Sequence, residues 1–270
     1  MTNNFILKER NKLKYFVGNW KMFGDFNSFN IIKKIQQFCI KHKKKVKKNK
    51  IILCVPNILL NFFNKKINSK VICLGAQNCS EHNSYGPFTG SVSASMLRKA
   101  GARYVILGHS ENRREGESPM LIKKKIRSAL SENLNIIFCI GETIKEKRRG
   151  QTLLVLRNQI KKSIDKKFNL NKIIIAYEPV WSIGTGKLLN YRDLINTISY
   201  IKIYFKKQFK LKNFPKVLYG GSVNDKSIKQ FSINASSTGI EEIHGFLIGG
   251  ASQSSKKFID IIKNYYKQQS

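Results

Sequence analysis

The sequence has no apolar run close to the ~20 residues that a membrane-spanning helix needs. Its 18 glycines and 5 prolines are too few and too scattered for a collagen-like or low-complexity chain. The first residues lack the extended apolar segment of a secretory signal. These absences exclude a membrane-spanning or fibrous protein. The 270 residues, 41% of them hydrophobic, suffice for the core of one large domain.

Cysteine is scarce as well, and its arrangement argues against covalent cross-links. The five cysteines are an odd number, and none of them forms the C-x-x-C spacing of a metal site. Three of them lie in or beside apolar runs, where a free thiol behaves as a small hydrophobic group. We therefore predict reduced thiols and a cytoplasmic location.

Acidic residues are the most conspicuous shortage, with 16 Asp and Glu against 50 Lys and Arg, for a net charge of +34. One interpretation is a nucleic-acid-binding protein. The other is a drift of composition, because lysine, isoleucine and asparagine are abundant together and only ten of the basic residues are arginine. The lysines are spread along the chain, densest over 41–50, whereas nucleic-acid readers cluster basic residues or use arginine. We favour drift and expect no specific nucleic-acid partner, although polyanions should bind non-specifically at low salt.

Short β-branched runs alternate with longer helical stretches along the whole chain. The runs are apolar throughout, which is typical of parallel strands that are buried on both faces. Eight such units in a chain of this length predict a single-domain (β/α)8 barrel over residues 15–270, preceded by a polar extension over residues 1–14. The predicted strands are Tyr15–Asn19, Ile51–Val55, Val71–Gln77, Tyr104–Gly108, Ile136–Ile140, Ile173–Tyr177, Val217–Tyr219 and Phe246–Ile248.

The polar and glycine residues that could carry chemistry follow the ends of these strands. A barrel builds its active site from the loops at the carboxyl ends of its strands, so we expect these residues to meet at one face. They are Asn19, Lys21, His109, Glu178, Gly220–Ser222 and Gly249–Gly250.

Eight motifs in this order and spacing closely resemble those of the triosephosphate isomerase family. The longest, AYEPVWSIGTGK, is nearly diagnostic by itself. The motifs are GNWKM (Gly18–Met22), AQN (Ala76–Asn78), FTG (Phe88–Gly90), ILGHSE (Ile106–Glu111), CIGE (Cys139–Glu142), AYEPVWSIGTGK (Ala176–Lys187), YGGSVN (Tyr219–Asn224) and GFLIGGAS (Gly245–Ser252).

The resemblance implies interconversion of dihydroxyacetone phosphate and D-glyceraldehyde 3-phosphate in glycolysis and gluconeogenesis, without cofactor or metal. Glu178 matches the family's catalytic base, which moves a proton between adjacent carbons. His109 matches the histidine that polarises the substrate oxygens, and the helix predicted to begin at Ser110 supports its placement. Lys21 would supply positive charge to the enediolate and the phosphate, with Asn19 as a positioning donor.

The resemblance also implies a phosphate site and a lid. Backbone amides of Gly184, Ser222, Gly249 and Gly250 would hold the phosphate, and Glu111 would pair with Lys21. The segment 179–187 matches the family's mobile lid, with hinges at 179–181 and 185–187, and its closure would exclude water. Ser182 stands where alanine is usual, a change that should leave the lid working.

The family works as a homodimer, and the resemblance implies the same here. Thr89 would reach Asn19 of the partner subunit and support that active site. The usual glutamate after FTG and arginine after HSE are both replaced, by Ser91 and Asn112, so an interface ion pair and its desolvation cost disappear together. His244 also departs from the usual aspartate or asparagine. None of these changes removes a predicted catalytic residue.

Overall fold

A computed structural model describes residues 13–43, 48–187, 189–234 and 243–267. Eight parallel strands follow one another around a closed barrel in chain order, and the first strand pairs with the eighth. The predicted (β/α)8 architecture is therefore confirmed. The strands are β1 Lys14–Asn19, β2 Asn49–Cys54, β3 Ile72–Ala76, β4 Tyr104–Leu107, β5 Asn135–Ile140, β6 Ile173–Tyr177, β7 Lys216–Tyr219 and β8 Gly245–Ile248.

Helices follow the strands and surround the barrel. Within the described ranges, four 3-10 turns supplement them, at Phe26–Ser28, Leu170–Lys172, Val180–Ser182 and Gly250–Gln253. The α-helices are α1 Phe29–Lys41, α2 Asn57–Asn64, α3 Ala94–Lys99, α4 Ser110–Arg114, α5 Pro119–Ser131, α6 Ile144–Arg148, α7 Thr152–Ser163, α8 Tyr191–Phe209, α9 Ser227–Asn234 and α10 Ser255–Lys267.

Both faces of the strands are buried, as the continuous apolar runs predict. In β1, Val17 belongs to the cluster inside the barrel, whereas Phe16 packs in the layer between the barrel and the helices. This alternation is the period of two that a strand imposes on its side chains. Two hydrophobic cores therefore share one sheet, and together they fix the carboxyl ends of the strands around a common axis.

The helix boundaries are set by local capping. The Ser118 hydroxyl accepts a hydrogen bond from the Leu121 amide, and Pro119 occupies the first position of α5. Thr143 and Glu146 form a reciprocal capping box at the start of α6. These caps begin each helix at a defined residue, and so they fix the length of the loop between the preceding element and that helix.

Several strands begin one or two residues earlier than predicted. Lys14 pairs with Asn49, and Lys216 pairs with Ile174, because backbone hydrogen bonding continues past the last apolar side chain. Lys14 was predicted to belong to the polar extension. Residues 1–12 of that extension, and residues 44–47 of the lysine-rich run, lie outside the described residues. The division into extension and barrel stays a prediction.

His244 has a structural contact at the amino end of β8. Its Nδ1 accepts a hydrogen bond of 3.3 Å from the Val217 amide of β7, so the imidazole can take the place of the usual acidic or amide side chain. In the described part of the chain, no helix is both long enough and apolar enough to cross a membrane.

Candidate active site

One cavity of about 250 Å³ opens among the loops at the carboxyl ends of the strands. It brings together all eight residues predicted to catalyse the reaction or bind the substrate, although they come from the ends of five different strands. They are Asn19, Lys21, His109, Glu178, Gly184, Ser222, Gly249 and Gly250. The structure therefore brings these side chains and amides together at one face of the barrel, as predicted.

Glu178 lies immediately after β6, deep in this cavity. Its amide donates to the Ile140 carbonyl at 2.8 Å, and only 4% of the residue is exposed. Two glycines make room for it. A Cβ at Gly141 would lie 1.8 Å from the Glu178 carbonyl oxygen, and one at Gly220 would lie 2.6 Å from its Cγ. Oε2 is buried and has no hydrogen-bond partner among the described residues, so the carboxylate has an unused acceptor.

His109 lies two residues after β4 and caps α4. Its Nδ1 accepts a hydrogen bond from the Glu111 amide at 3.3 Å. An amide can only donate, so this contact assigns the ring proton to Nε2 and leaves the imidazole neutral. Nε2 lies 3.6 Å from Oε1 of Glu178. The histidine therefore presents an N–H donor beside the carboxylate.

Lys21 occupies a backbone conformation that L-residues rarely adopt, with φ at +57°. Its amide donates to Asn19 Oδ1 at 3.0 Å, which leaves the Asn19 amide nitrogen as a donor at the cavity. The Lys21 ammonium contacts Glu111 Oε1 at 2.5 Å. Burial raises the pKa of Glu111, but the hydrogen bond from the Lys21 ammonium and the positive charge of that group outweigh this effect, and the pKa is lowered overall. The predicted Lys21–Glu111 pair is present.

Glycine-rich turns form the wall of the cavity beside Glu178 and Lys21. Gly249 and Gly250 begin the 3-10 turn after β8, and Ser222 follows β7. Gly184 has φ of +70°, a conformation that glycine adopts without the steric cost of a side chain. Backbone amides at the start of a turn, with no side chain in the way, are suited to bind an anion.

The predicted lid, residues 179–187, lies beside the cavity and contributes Ile183, Gly184 and Gly186 to its lining. At its first hinge, the Trp181 indole donates to Glu142 Oε1 at 2.8 Å. Near its second hinge, the Gly186 amide donates to Ser222 Oγ at 3.1 Å. The lid is thus attached to the barrel at both ends.

Three residues near the site were not predicted to support it. Gln77 donates to the Lys21 carbonyl at 2.9 Å and to the Cys54 carbonyl at 3.0 Å. Arg113 is partly buried and donates to the carbonyls of Gly108 and Cys139, so it joins the loops that carry His109 and Glu142. Glu142 accepts hydrogen bonds from Trp181 and Tyr177. Gln77 and Glu142 lie inside two of the quoted motifs, and Arg113 lies two residues after a third. These positions were the signal from which the supporting role of each residue could have been predicted.

Thr89 does not reach the cavity of its own chain. It lies exposed in the long loop after β3, beside Phe88, whose ring stacks on His82 at a centroid distance of 3.5 Å. The role predicted for Thr89 therefore depends on a partner subunit.

A closed parallel barrel with a carboxylate, a neutral imidazole, an ammonium and glycine amides around one cavity defines an enzyme for small anionic substrates. The comparisons with known proteins make this class specific. The triosephosphate isomerase family model matches residues 14–265. The chain belongs to the triosephosphate isomerase family.

Individual relatives agree with this assignment. The triosephosphate isomerase of Dictyoglomus thermophilum is 36% identical over 259 residues, covering 93% of this chain and 99% of the relative. That of Alkaliphilus metalliredigens is 33% identical and covers 91% of this chain and 96% of the relative. A crystal structure of triosephosphate isomerase from Bartonella henselae superposes with a TM-score of 0.81 at 32% identity, covering 94% of this chain and 99% of that chain. The nucleic-acid-binding alternative receives no support from these comparisons.

Proposed function

We propose that this chain interconverts dihydroxyacetone phosphate and D-glyceraldehyde 3-phosphate, with Glu178 as base, His109 as electrophile and Lys21 as electrostatic stabiliser. Family membership supports the reaction, and the cavity supports the assignment of these roles. The reaction moves one proton from C1 to C2 and one from O1 to O2, so it needs a base that can reach both carbons and a donor that can reach both oxygens.

The carboxylate and imidazole are suited to this transfer. Glu178 removes a proton from C1 of dihydroxyacetone phosphate, and the electron pair forms the enediolate. The Nε2–H of His109 donates to the substrate oxygen that gains negative charge, and the nearby Lys21 ammonium stabilises the same charge. His109 gives its Nε2 proton to O2 and takes up the proton of O1, and protonated Glu178 returns its own proton to C2, which yields the aldehyde. The reverse reaction uses the same groups in the opposite order.

The glycine wall is proposed to bind the phosphate. The dianion would accept hydrogen bonds from the amides of Gly184, Ser222, Gly249 and Gly250. In the free protein the Ser222 amide donates to Ser182 Oγ at 3.3 Å, so a bound phosphate would share this donor with Ser182. Binding at this end of the cavity would orient the two reacting carbons toward Glu178. Because the lid carries one of these amides, phosphate binding and exclusion of water are coupled.

The observation that carries the proposal is the buried Glu178 carboxylate, which has an unpartnered Oε2 and an Oε1 3.6 Å from His109 Nε2. The decisive experiment is turnover of both triose phosphates by the purified chain, beside Glu178→Gln. Ser163→Ala is the matched control, because it removes a buried polar group from the end of α7. We expect wild type and control to isomerise both substrates and Glu178→Gln to lose at least about 10²-fold in kcat. Equal turnover by wild type and Glu178→Gln would contradict the assigned base.

We further propose a cytoplasmic homodimer. Tyr85 and Phe88, on the loop after β3, and Met22, next to Lys21, are exposed apolar side chains, and Met22 is 100% exposed. Exposed apolar groups beside a catalytic loop favour an interface with a second copy of the chain. In that dimer, Thr89 would contact Asn19 of the partner subunit. Five free cysteines, all buried, support a reducing compartment.

A further inference from the structure

Ser182 is buried within the lid, with no exposed surface. Its hydroxyl donates to the Lys187 carbonyl at 2.6 Å and accepts from the Ser222 amide at 3.3 Å. The first contact joins the two ends of the lid, and the second joins the lid to the glycine turn after β7. Alanine, the residue usual at this position, can form neither bond.

The surrounding bonds connect this hydroxyl to the cavity wall. The Ser222 hydroxyl donates to the Ser182 carbonyl and accepts from the Gly186 amide. The two serines therefore make reciprocal contacts between lid and barrel, in which the hydroxyl of each is hydrogen-bonded to the backbone of the other. Any residue at position 182 would offer a backbone carbonyl to the Ser222 hydroxyl. The bond to the Lys187 carbonyl, in contrast, needs the side-chain hydroxyl of Ser182.

A glycine keeps the space for this contact. A Cβ at Gly221 would lie 2.9 Å from the Ser182 hydroxyl oxygen and 2.2 Å from the Tyr219 hydroxyl oxygen. Both hydroxyls therefore approach the backbone of the turn that carries Ser222. A larger residue at position 221 would force them away.

We propose that Ser182 is a positioning residue whose hydroxyl latches the lid over the cavity before substrate binds. This inference rests on the proposed isomerase function. Because the bond from Ser182 to Lys187 closes the loop internally, part of the ordering of residues 182–187 is complete in the free protein. Loss of the latch raises the population of conformations in which the lid lies away from the cavity. The affinity for the ligand then falls in proportion to the fraction of molecules that keep the lid over the cavity.

The test compares wild type, Ser182→Ala and the control Ser163→Ala, each labelled with 5-fluorotryptophan. Trp181 lies in the first hinge, and the buried Trp20 supplies the second fluorine signal as an internal reference. We expect the Trp181 signal of free wild type to lie close to its position with saturating phosphoglycolate. In free Ser182→Ala, the Trp181 signal should lie further from the position of the bound state, and it should move toward that position as phosphoglycolate is added. Phosphoglycolate should bind Ser182→Ala about fivefold more weakly, the effect of one typical hydrogen bond.

A second measurement separates a latch from a purely structural contact. An enediolate that is exposed by an open lid can break its C3–O bond and expel phosphate instead of being protonated at carbon. We expect Ser182→Ala to release more inorganic phosphate per isomerisation than wild type, whereas Ser163→Ala does not. Thermal unfolding verifies that both variants fold.

The outcomes distinguish the two proposals. If wild type does not isomerise triose phosphates, the proposed function fails. If wild type isomerises but Ser182→Ala shows unchanged fluorine signals, phosphoglycolate affinity and phosphate release, the latch alone is refuted.

Discussion

Nε2 of His109 lies 3.6 Å from Oε1 of Glu178, while Nδ1 of the same ring accepts the Glu111 amide. One side of the imidazole is thus used to fix its tautomer and orientation, and the other faces the carboxylate. This division requires that α4 begin at Ser110, directly after the histidine. The start of a short helix therefore determines which ring nitrogen can donate to a substrate oxygen.

Shortening the proposed base should impair turnover without changing the fold. Glu178→Asp withdraws the carboxylate by about 1 Å, a misplacement that can cost about 10²-fold in rate. We expect kcat to fall by at least that factor and the thermal midpoint to change little. Steady-state kinetics and a thermal melt check both expectations. Turnover similar to wild type would show that Glu178 is not the base.

Displacing the same carboxylate from outside should have a similar effect. In Gly220→Ala, the new Cβ would meet Glu178 Cγ at 2.6 Å and Oε1 at 3.1 Å. Because the glutamate side chain is the part that can yield, we expect kcat to drop by about 10²-fold while the barrel remains folded. A crystal structure of the variant should show the carboxylate moved from His109. Full activity would indicate that the site tolerates this displacement.

The phosphate group should dominate ligand affinity. Phosphoglycolate offers a dianion to the glycine amides and to Lys21, whereas glycolate offers them nothing at that end of the cavity. Calorimetry at fixed salt should give an affinity for phosphoglycolate at least about 10²-fold higher, as several charge-assisted hydrogen bonds imply. Similar affinities for the two acids would refute the phosphate site.

The cysteines should resist alkylation in the native protein. Burial raises the pKa of Cys39 to about 11 and is the main cause that raises the pKa of Cys79 to about 12. At pH 8 the reactive thiolate is therefore at least about 10²-fold scarcer than in the unfolded chain. We expect iodoacetamide to label these thiols slowly in buffer and rapidly in denaturant, as mass spectrometry would show.

The same shifts predict how stability depends on pH. A raised pKa in the folded state means that the unfolded chain loses these thiol protons first as pH rises. Their contribution to the free energy of unfolding is complete below about pH 8.5 and declines above that pH, up to about 11 for Cys39 and about 12 for Cys79. Urea unfolding at pH 8 and pH 10 should show the decline, and it should be smaller in Cys39→Ala.

The proposed dimer can be tested by sedimentation at micromolar concentration in 0.15 M salt. We expect a dimer, because repulsion between two chains of charge +34 is screened beyond ~8 Å at this ionic strength. Very low salt should loosen it. Thr89→Ala should reduce activity more than it changes the sedimentation coefficient, if Thr89 supports Asn19 of the partner subunit. A fully active monomer would contradict the role proposed for this loop.

The amino-acid sequence was sufficient to locate the strands, because each is an apolar run buried on both faces. The sixth strand, Ile173–Tyr177, matches its predicted bounds, and the others differ by one or two residues at an end. Where a strand begins early, polar residues such as Lys14 and Asn49 continue the backbone pairing, which side-chain hydropathy does not record. β2, β3 and β4 instead end one residue earlier than predicted. All eight residues that the motifs predicted to catalyse the reaction or to bind the substrate line the cavity.

Only the tertiary structure decided how these groups are held. The need for glycine at 141 and 220 arises from the approach of Glu178 to neighbouring strands, and no local pattern encodes that approach. The supports from Gln77, Arg113 and Glu142 join segments far apart in the chain. Ser182 seemed a minor replacement in sequence, but the folded lid brings its hydroxyl to Lys187 and Ser222. Sequence fixes which residues reach the rim of the barrel, whereas hydrogen-bond partners depend on distances that exist only once the barrel closes.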